Sequence, residues 1–188
     1  MEAGFGTMSP EAWLIDESED DQKLPFRQNP KEFISPNKLA EIGILFWHLD
    51  AKKYDIEEEL KKFQESKGLN YMDFLELSRG KGEDCEEKLK DFFQEHVHAE
   101  EEIRYCLEGG GYFDIRDKSD HWIRVWIKEG DMIVLPAGLH HRFSLDTSNH
   151  VKLIRSFVKE PVWTSTNCSH EPLRRWSSLK AKNGFMSC

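Results

Sequence analysis

The rhythm of apolar and polar positions changes near residue 96. Before that point, two segments repeat apolar residues at helical spacing. Residues 54–67 (YDIEEELKKFQESK) align Ile56, Leu60 and Phe63, with Asp55 as N-cap, Glu58 three residues on, and Gly68 as terminator. Residues 84–95 (DCEEKLKDFFQE) gather Leu89, Phe92 and Phe93 and begin with acids, which suit the positive end of a helix dipole. Both read as surface helices lying against a larger body. The GILFWHL run within 39–49 fits a helix or a buried strand, and its length and aromatic content favour strand. Around Pro25, Pro30 and Pro36 the chain is expected to be extended or turning, because proline disfavours helix in the residue before it. The acidic stretch 16–21 reads as a solvated loop.

Beyond residue 96, short apolar segments alternate with turn residues. Strands are expected at 103–107, 112–116, 122–127, 132–135, 141–145 and 151–158. The turn signals between them include Gly109-Gly110-Gly111, Asp117-Lys118-Ser119-Asp120, Glu129-Gly130-Asp131 and Pro136-Ala137-Gly138. This spacing predicts an antiparallel sandwich or barrel, a fold mainly β with peripheral helices. The gaps are too short for crossover helices, which excludes a parallel sheet.

Composition narrows the function classes. The 188 residues are 38% hydrophobic and 12% aromatic, enough for one domain with a core of its own. A net charge of −9 opposes a nucleic-acid phosphate backbone. The longest apolar run, 42–49, falls far short of the ~20 residues that a membrane-spanning helix needs. The N-terminus has neither the basic region nor the apolar stretch of a secretory signal. Cys85, Cys106, Cys168 and Cys188 are widely spaced and form no CxxC pair. A zinc–thiolate site or a disulfide framework is therefore not expected, and a reducing, intracellular compartment is.

The chemistry concentrates in two histidine clusters. In EHVHAEEEIRYC, an extended chain puts His96, His98, Glu100, Glu102, Arg104 and Cys106 on one face. The other face carries Val97, Ala99, Glu101, Ile103 and Tyr105. On a helix the two histidines would diverge by about 200°, so the pair makes sense on a strand. A turn within AEEE would reset the parity, which leaves Glu100, Glu101 and Glu102 open as the carboxylate. The second cluster, His140-His141, follows the turn at Pro136 and Gly138, and a barrel can bring one of its imidazoles beside the first pair. Three imidazoles and a carboxylate suit a divalent first-row ion such as Fe(II), Ni(II) or Mn(II), and leave two positions open for a chelating anion or O2 chemistry. His48, His121, His150 and His170 read as ordinary hydrogen-bonded histidines.

The spacing resembles a known superfamily. His96-x-His98-x3-Glu102-x6-Gly109 is similar to the first cupin motif, and Gly130-x5-Pro136-x-Gly138-x2-His141 to the second. The second departs only at its end, where cupins often place Asn and this chain has Leu145. More narrowly, EEIRYCLEGGGYFDIRD, GDMIVLPAGLHHRF and FVKEPVW resemble the acireductone dioxygenase family, as do PNKLAEIGILFWHLD and YDIEEELKKFQESKGLNYMD near the N-terminus. The resemblance covers roughly residues 18–163 and fades afterwards. It implies one cupin β-barrel domain (double-stranded β-helix, jelly-roll-like) over 1–163 and a divergent polar tail over 164–188.

The resemblance picks Glu102 over its neighbours and His141 over His140, and so implies a ligand set of His96, His98, Glu102 and His141 for one Fe(II) or Ni(II). It implies a reaction of O2 with 1,2-dihydroxy-5-(methylthio)pent-1-en-3-one in methionine salvage. Iron members of the family release formate and 4-methylthio-2-oxobutanoate. Nickel members release formate, carbon monoxide and 3-methylthiopropanoate. It also implies a monomer of the cytoplasm and nucleus. Within the pocket, Arg104 shares the ligand parity and would stabilise the substrate enolate, orient a ligand, or pair with Glu100 or Glu102. Arg155 interrupts the apolar parity of Val151, Leu153 and Phe157, which predicts a substrate-facing role or a structural ion pair. Phe93, Phe143 and Trp163 could wall a slot for the methylthio tail, since sulfur packs well on aromatic edges. The competing readings are a cupin enzyme for a different chelating substrate and a non-catalytic cupin binding module.

Overall fold

The computed structural model describes residues 10–15, 32–50, 55–158 and 170–172. In chain order the elements are β1 (Glu11–Ile15), α1 (Pro36–Ile42), β2 (Leu45–His48), α2 (Ile56–Lys67), β3 (Tyr71–Ser78), α3 (Glu83–Phe93), β4 (Glu102–Arg116), β5 (Trp122–Lys128), β6 (Asp131–Leu135), β7 (His141–Leu145), β8 (His150–Phe157) and β9 (His170–Pro172). Every strand pairing among these residues is antiparallel.

The two helices expected from periodicity form within a residue or two of their expected ends. Asp55 caps α2 by accepting from the Glu58 amide, and Gly68 ends it in the left-handed region at φ 67°. The 39–49 run, for which helix and strand were both open with strand favoured, divides between the two. Ser35 caps a short helix with Pro36 in its first turn, Gly43 closes it, and only Leu45–His48 is strand. A proline is favoured at a helix start because its missing N–H is unneeded there. Strands β1 and β3 were not anticipated, and β9 arises from the stretch read as a tail, adding to the edge of β3.

Strand β4 organises the barrel. The two strands expected at 103–107 and 112–116 are one strand of 15 residues. Its first half pairs with β6 and β8, and its second half with β5 and β7. The glycines between them are a crossing point, not a turn. The register slips between Cys106 and Glu108, and Gly109 takes φ 72°. A Cβ on Gly109, Gly110 or Gly111 would strike the His150 carbonyl, Asp146 or the Phe143 ring. A bulge and a bare backbone let one strand leave one sheet and enter the other. One sheet then runs β2-β6-β4-β8-β3-β9, and the other β1-β5-β4-β7.

Alternation assigns the faces. Ile103, Tyr105, Met132, Val134 and Ile154 turn outward and are covered by Leu60 and Phe63 of α2. Each such buried apolar side chain is worth about 1.5–3 kcal/mol. Cys106, Ile133, Leu135, Val151 and Leu153 turn inward and meet Phe113, Ile115, Ile123 and Phe143 from the second sheet. Because one face of β4 is already apolar, its polar parity faces the interior of the barrel. Among the described residues, no helix is long and apolar enough to cross a membrane. Cys106 is a buried free thiol whose pKa burial pushes up to about 12, which leaves it chemically quiet. Cys85 on α3 is disulfide-bonded, against the expectation drawn from sequence spacing, which does not report spatial neighbours.

Candidate metal centre

The polar parity of β4 ends beside β7, and backbone contacts bring the two histidine clusters together there. The His96 amide donates to the His141 carbonyl and the His141 amide to the His96 carbonyl, both at 3.0 Å. The Gly138 amide donates to the His98 carbonyl at 2.9 Å, so the Pro136–Gly138 turn docks directly on the first cluster. The chain bends at Ala99 and Glu100 before β4 begins. That bend resolves the choice of acid. Glu100 and Glu101 are exposed, with Glu101 on Lys67 at 3.0 Å, whereas Glu102 is buried. His140 likewise turns outward to Glu95 at 2.9 Å, and His141 turns inward.

One ligand atom from each of His96, His98, Glu102 and His141 lies within 4.8 Å of the others. Glu102 Oε2 lies 2.9 Å from His98 Nε2 and 3.1 Å from His141 Nε2. The His96 ring is centred 4.5 Å from that of His141 and 5.1 Å from that of His98. The Nδ1 of His96 faces the Gln94 carbonyl at 2.7 Å, and that of His141 the Leu139 carbonyl at 2.8 Å. A ring nitrogen against a carbonyl must carry the proton, so each Nε2 presents its lone pair to the group. Lone pairs and a carboxylate converging on one point need a positive charge among them. Bonds of about 2.1 Å around one ion would set opposite ligand atoms about 4.2 Å apart, within the observed spread. The four residues therefore fit a divalent ion.

Without an ion, the electrostatics support an ionised Glu102 and a neutral His96, while Glu102 draws His141 towards protonation. Burial works against ionisation of Glu102, yet Arg104 and then His141 and His98 hold its carboxyl well below the ordinary range. Burial lowers His96, which favours its neutral, ligating form. His141 is also opposed by burial, but its hydrogen bond to Glu102 raises it. Exposure is graded: Glu102 and His141 are buried, His96 is half-buried and His98 is exposed, so the group opens to solvent on the His98 side.

The other expected site residues separate. Arg104 is buried, donates to the Ile103 carbonyl at 2.9 Å and meets Glu102 Oε1 at 3.2 Å, the carboxylate-pairing alternative of its expected roles. Arg155 makes two parallel 2.7 Å bonds to Asp73, the ion-pair alternative of its two expected roles. Phe143 shares the face of His141 on β7 and packs on Phe113 at 4.9 Å, with Phe113 at 6.3 Å from the His141 ring. The Phe93 ring lies 4.4 Å from the Arg142 guanidinium, a residue of the opposite parity on β7. Trp163 lies outside the described residues. His48 and His150 are hydrogen-bonded to Asp131 and Ser78 as ordinary histidines, and His121 sits exposed 3.7 Å from Asp117. The side chain of His170 lies outside the description. Sequence reasoning missed Asp73. Its signal was available, since in YMDFLELS it shares parity with Leu75 and Leu77, a carboxylate on a buried apolar face.

Comparison with known proteins agrees with this geometry. The sequence model of the ARD/ARD' family matches residues 11–165. The chain is 58% identical over 167 residues to acireductone dioxygenase 1 of Vitis vinifera, covering 88% of this chain and 89% of that protein. It is 55% identical over 170 residues to acireductone dioxygenase 4 of Arabidopsis thaliana, covering 89% and 91%. The fold matches an acireductone dioxygenase from Bacillus anthracis, solved with a cadmium ion in its active centre, at a TM-score of 0.65 and 21% identity. That match covers 82% of this chain and 98% of the other.

Proposed function

The chain belongs to the ARD/ARD' family, and on that premise we propose that it is an acireductone dioxygenase whose His96, His98, Glu102 and His141 hold one Fe(II) or Ni(II). The observation that carries this reading is the convergence of three imidazoles and one carboxylate within 4.8 Å at the mouth of a cupin barrel. The substrate is an enediol that ionises readily and offers two adjacent oxygens. When bound, a redox-capable ion supplies charge for the enediolate and a partner for its reaction with O2.

The chain's own residues supply the rest. The Gln94 and Leu139 carbonyls fix the tautomers of two ligands, which otherwise could rotate or present N–H to the ion. Arg104 anchors Oε1 of Glu102 and leaves Oε2 to the metal. The open side at His98 admits the substrate, and Phe143, on the His141 face, walls the path of the methylthio tail, whereas Phe93 packs against Arg142 on the opposite face of β7. In balanced form, acireductone and O2 give formate and 4-methylthio-2-oxobutanoate with iron. With nickel they give formate, carbon monoxide and 3-methylthiopropanoate. The same reading takes the protein as a monomer of the cytoplasm and nucleus.

The test joins metal counting to product analysis. Protein purified without added metal is assayed by elemental mass spectrometry, reloaded with Fe(II) or Ni(II), and supplied with acireductone and O2. The oxo acid with iron and carbon monoxide with nickel are expected. A fully loaded protein that leaves acireductone unconsumed would overturn the assignment.

A further inference from the structure

The inner face of the first sheet carries an unbroken row of charge. Asp73 on β3 stands directly opposite Arg155 on β8, and Arg155 stands directly opposite Arg104 on β4. Directly paired positions put their side chains on the same face, within reach of one another. Both guanidiniums flank one ring, with Arg104 at 5.7 Å and Arg155 at 5.6 Å from the centre of Phe157. The row ends at Glu102, held by Arg104 at 3.2 Å and facing His98 and His141. Two like charges thus lie side by side in the barrel, and each is directed to a carboxylate of its own. Asp73, Arg104 and Arg155 are all at most 6% exposed, so water does little to screen them.

We propose that Asp73 is a positioning residue for the metal group: it holds the buried charge of Arg155 away from Glu102. The inference rests on the reading that His96, His98, Glu102 and His141 bind a divalent ion. A buried guanidinium is stable only against an acceptor, and two parallel bonds to Asp73 satisfy it. Without that carboxylate, Arg155 is drawn along the inner face towards Glu102, diagonally placed on the neighbouring strand and within reach of a long side chain. There it competes with the incoming ion as a second cation. Arg104 does not, because it occupies Oε1 and leaves Oε2 to the histidines.

The proposal makes an ordered claim about variants. Ni(II) binding is measured by competition with a chromophoric chelator at neutral pH, without substrate. Asp73→Asn keeps the shape, removes the carboxylate that receives both Arg155 bonds, and should weaken Ni(II) binding by about tenfold or more. Arg155→Gln removes the competing cation, leaves Asp73 to draw on Arg104, and should bind Ni(II) no more weakly than the wild type does. The double variant Asp73→Asn/Arg155→Gln should recover wild-type affinity. A general loss of packing would instead leave the double variant at least as weak as Asp73→Asn. If Asp73→Asn does not fold, Asp73→Ser, which admits water beside the guanidinium, takes its place in the same comparison. Wild-type affinity in the Asp73 variant, or no recovery in the double variant, would overturn the proposal. A wild-type chain that binds no Ni(II), or His98→Ala that binds it fully, would overturn the metal reading itself.

Discussion

Replacing Arg104 by Met separates what the metal group needs from what the metal-free barrel needs. Arg104 and Glu102 are both buried, 3.2 Å apart, and Arg104 is the leading favourable influence on the ionised acid. Removing one partner of a buried pair leaves an uncompensated charge and costs about 3–5 kcal/mol. In a protein of this size that lowers the melting temperature on the order of 10 °C. The cost should fall mainly on metal-free protein, because a divalent ion beside Glu102 replaces the lost positive charge. The variant should therefore keep its metal, gain more stability from it than the wild type does, and lose turnover, since Glu102 is less firmly oriented.

The pH dependence follows with a definite sign. In the metal-free wild type Glu102 is depressed, so its contribution is present above the ordinary carboxylate range and is lost as pH falls through the depressed value. Without Arg104 that contribution shrinks, and the acid limb of the stability profile becomes shallower. The assay is calorimetric melting from pH 3 to 8, with chelator and with saturating Ni(II). Equal loss of melting temperature in both states, or an unchanged acid limb, would refute the reasoning and return Arg104 to a packing role.

Two further outcomes are expected. His98→Ala removes a ligand that is exposed and contributes little to the core, so the variant should fold, lose its metal by elemental analysis and lose turnover; full metal occupancy would strike His98 from the ligand set. Asp114→Asn leaves Arg124, which makes bonds of 2.6 and 2.7 Å to it, and Arg142, at 3.0 Å, around a neutral amide on the other sheet. It should cost about 3–5 kcal/mol by urea unfolding with the metal group intact, and a change below about 1 kcal/mol would show that the arginines find other acceptors.

The barrel and its candidate ligands were legible for different reasons. Short apolar segments bounded by turn residues placed β5, β6, β7 and β8 within a residue of where they lie. The parity argument put Glu102, Arg104 and Cys106 on one face, and that face is the interior because Ile103 and Tyr105 are taken up by α2. What failed were the places where a residue type has two uses. Gly109-Gly110-Gly111 reads as a turn, since glycine commonly makes turns, but here bare backbone is needed for close passage and the strand continues. Around Pro36 an extended or turning chain was expected; Ser35 before it is extended, but Pro36 itself starts a helix. Strand β1 lies in acidic surroundings, and β3 carries Asp73 and Glu76, which mask its alternation. The choice among Glu100, Glu101 and Glu102 depends on a bend that periodicity cannot see.

Asp73 and Arg155 show what such masking conceals. Each interrupts an apolar parity, on strands that pair with one another, and each alone looks like an error in a hydrophobic pattern. Together they cancel. The same holds for Arg104 and Glu102 on the next strand, so these four side chains carry no net charge before any metal enters. Glu102 is thus already balanced by Arg104 when the ion arrives, and the ion's two positive charges fall chiefly on whatever else coordinates it. An anionic chelator meets that need, and a neutral ketone of the same skeleton does not. On the proposed assignment, a preference for an ionised enediol would follow from the pairwise balance of charges behind the metal as much as from the ligands in front of it.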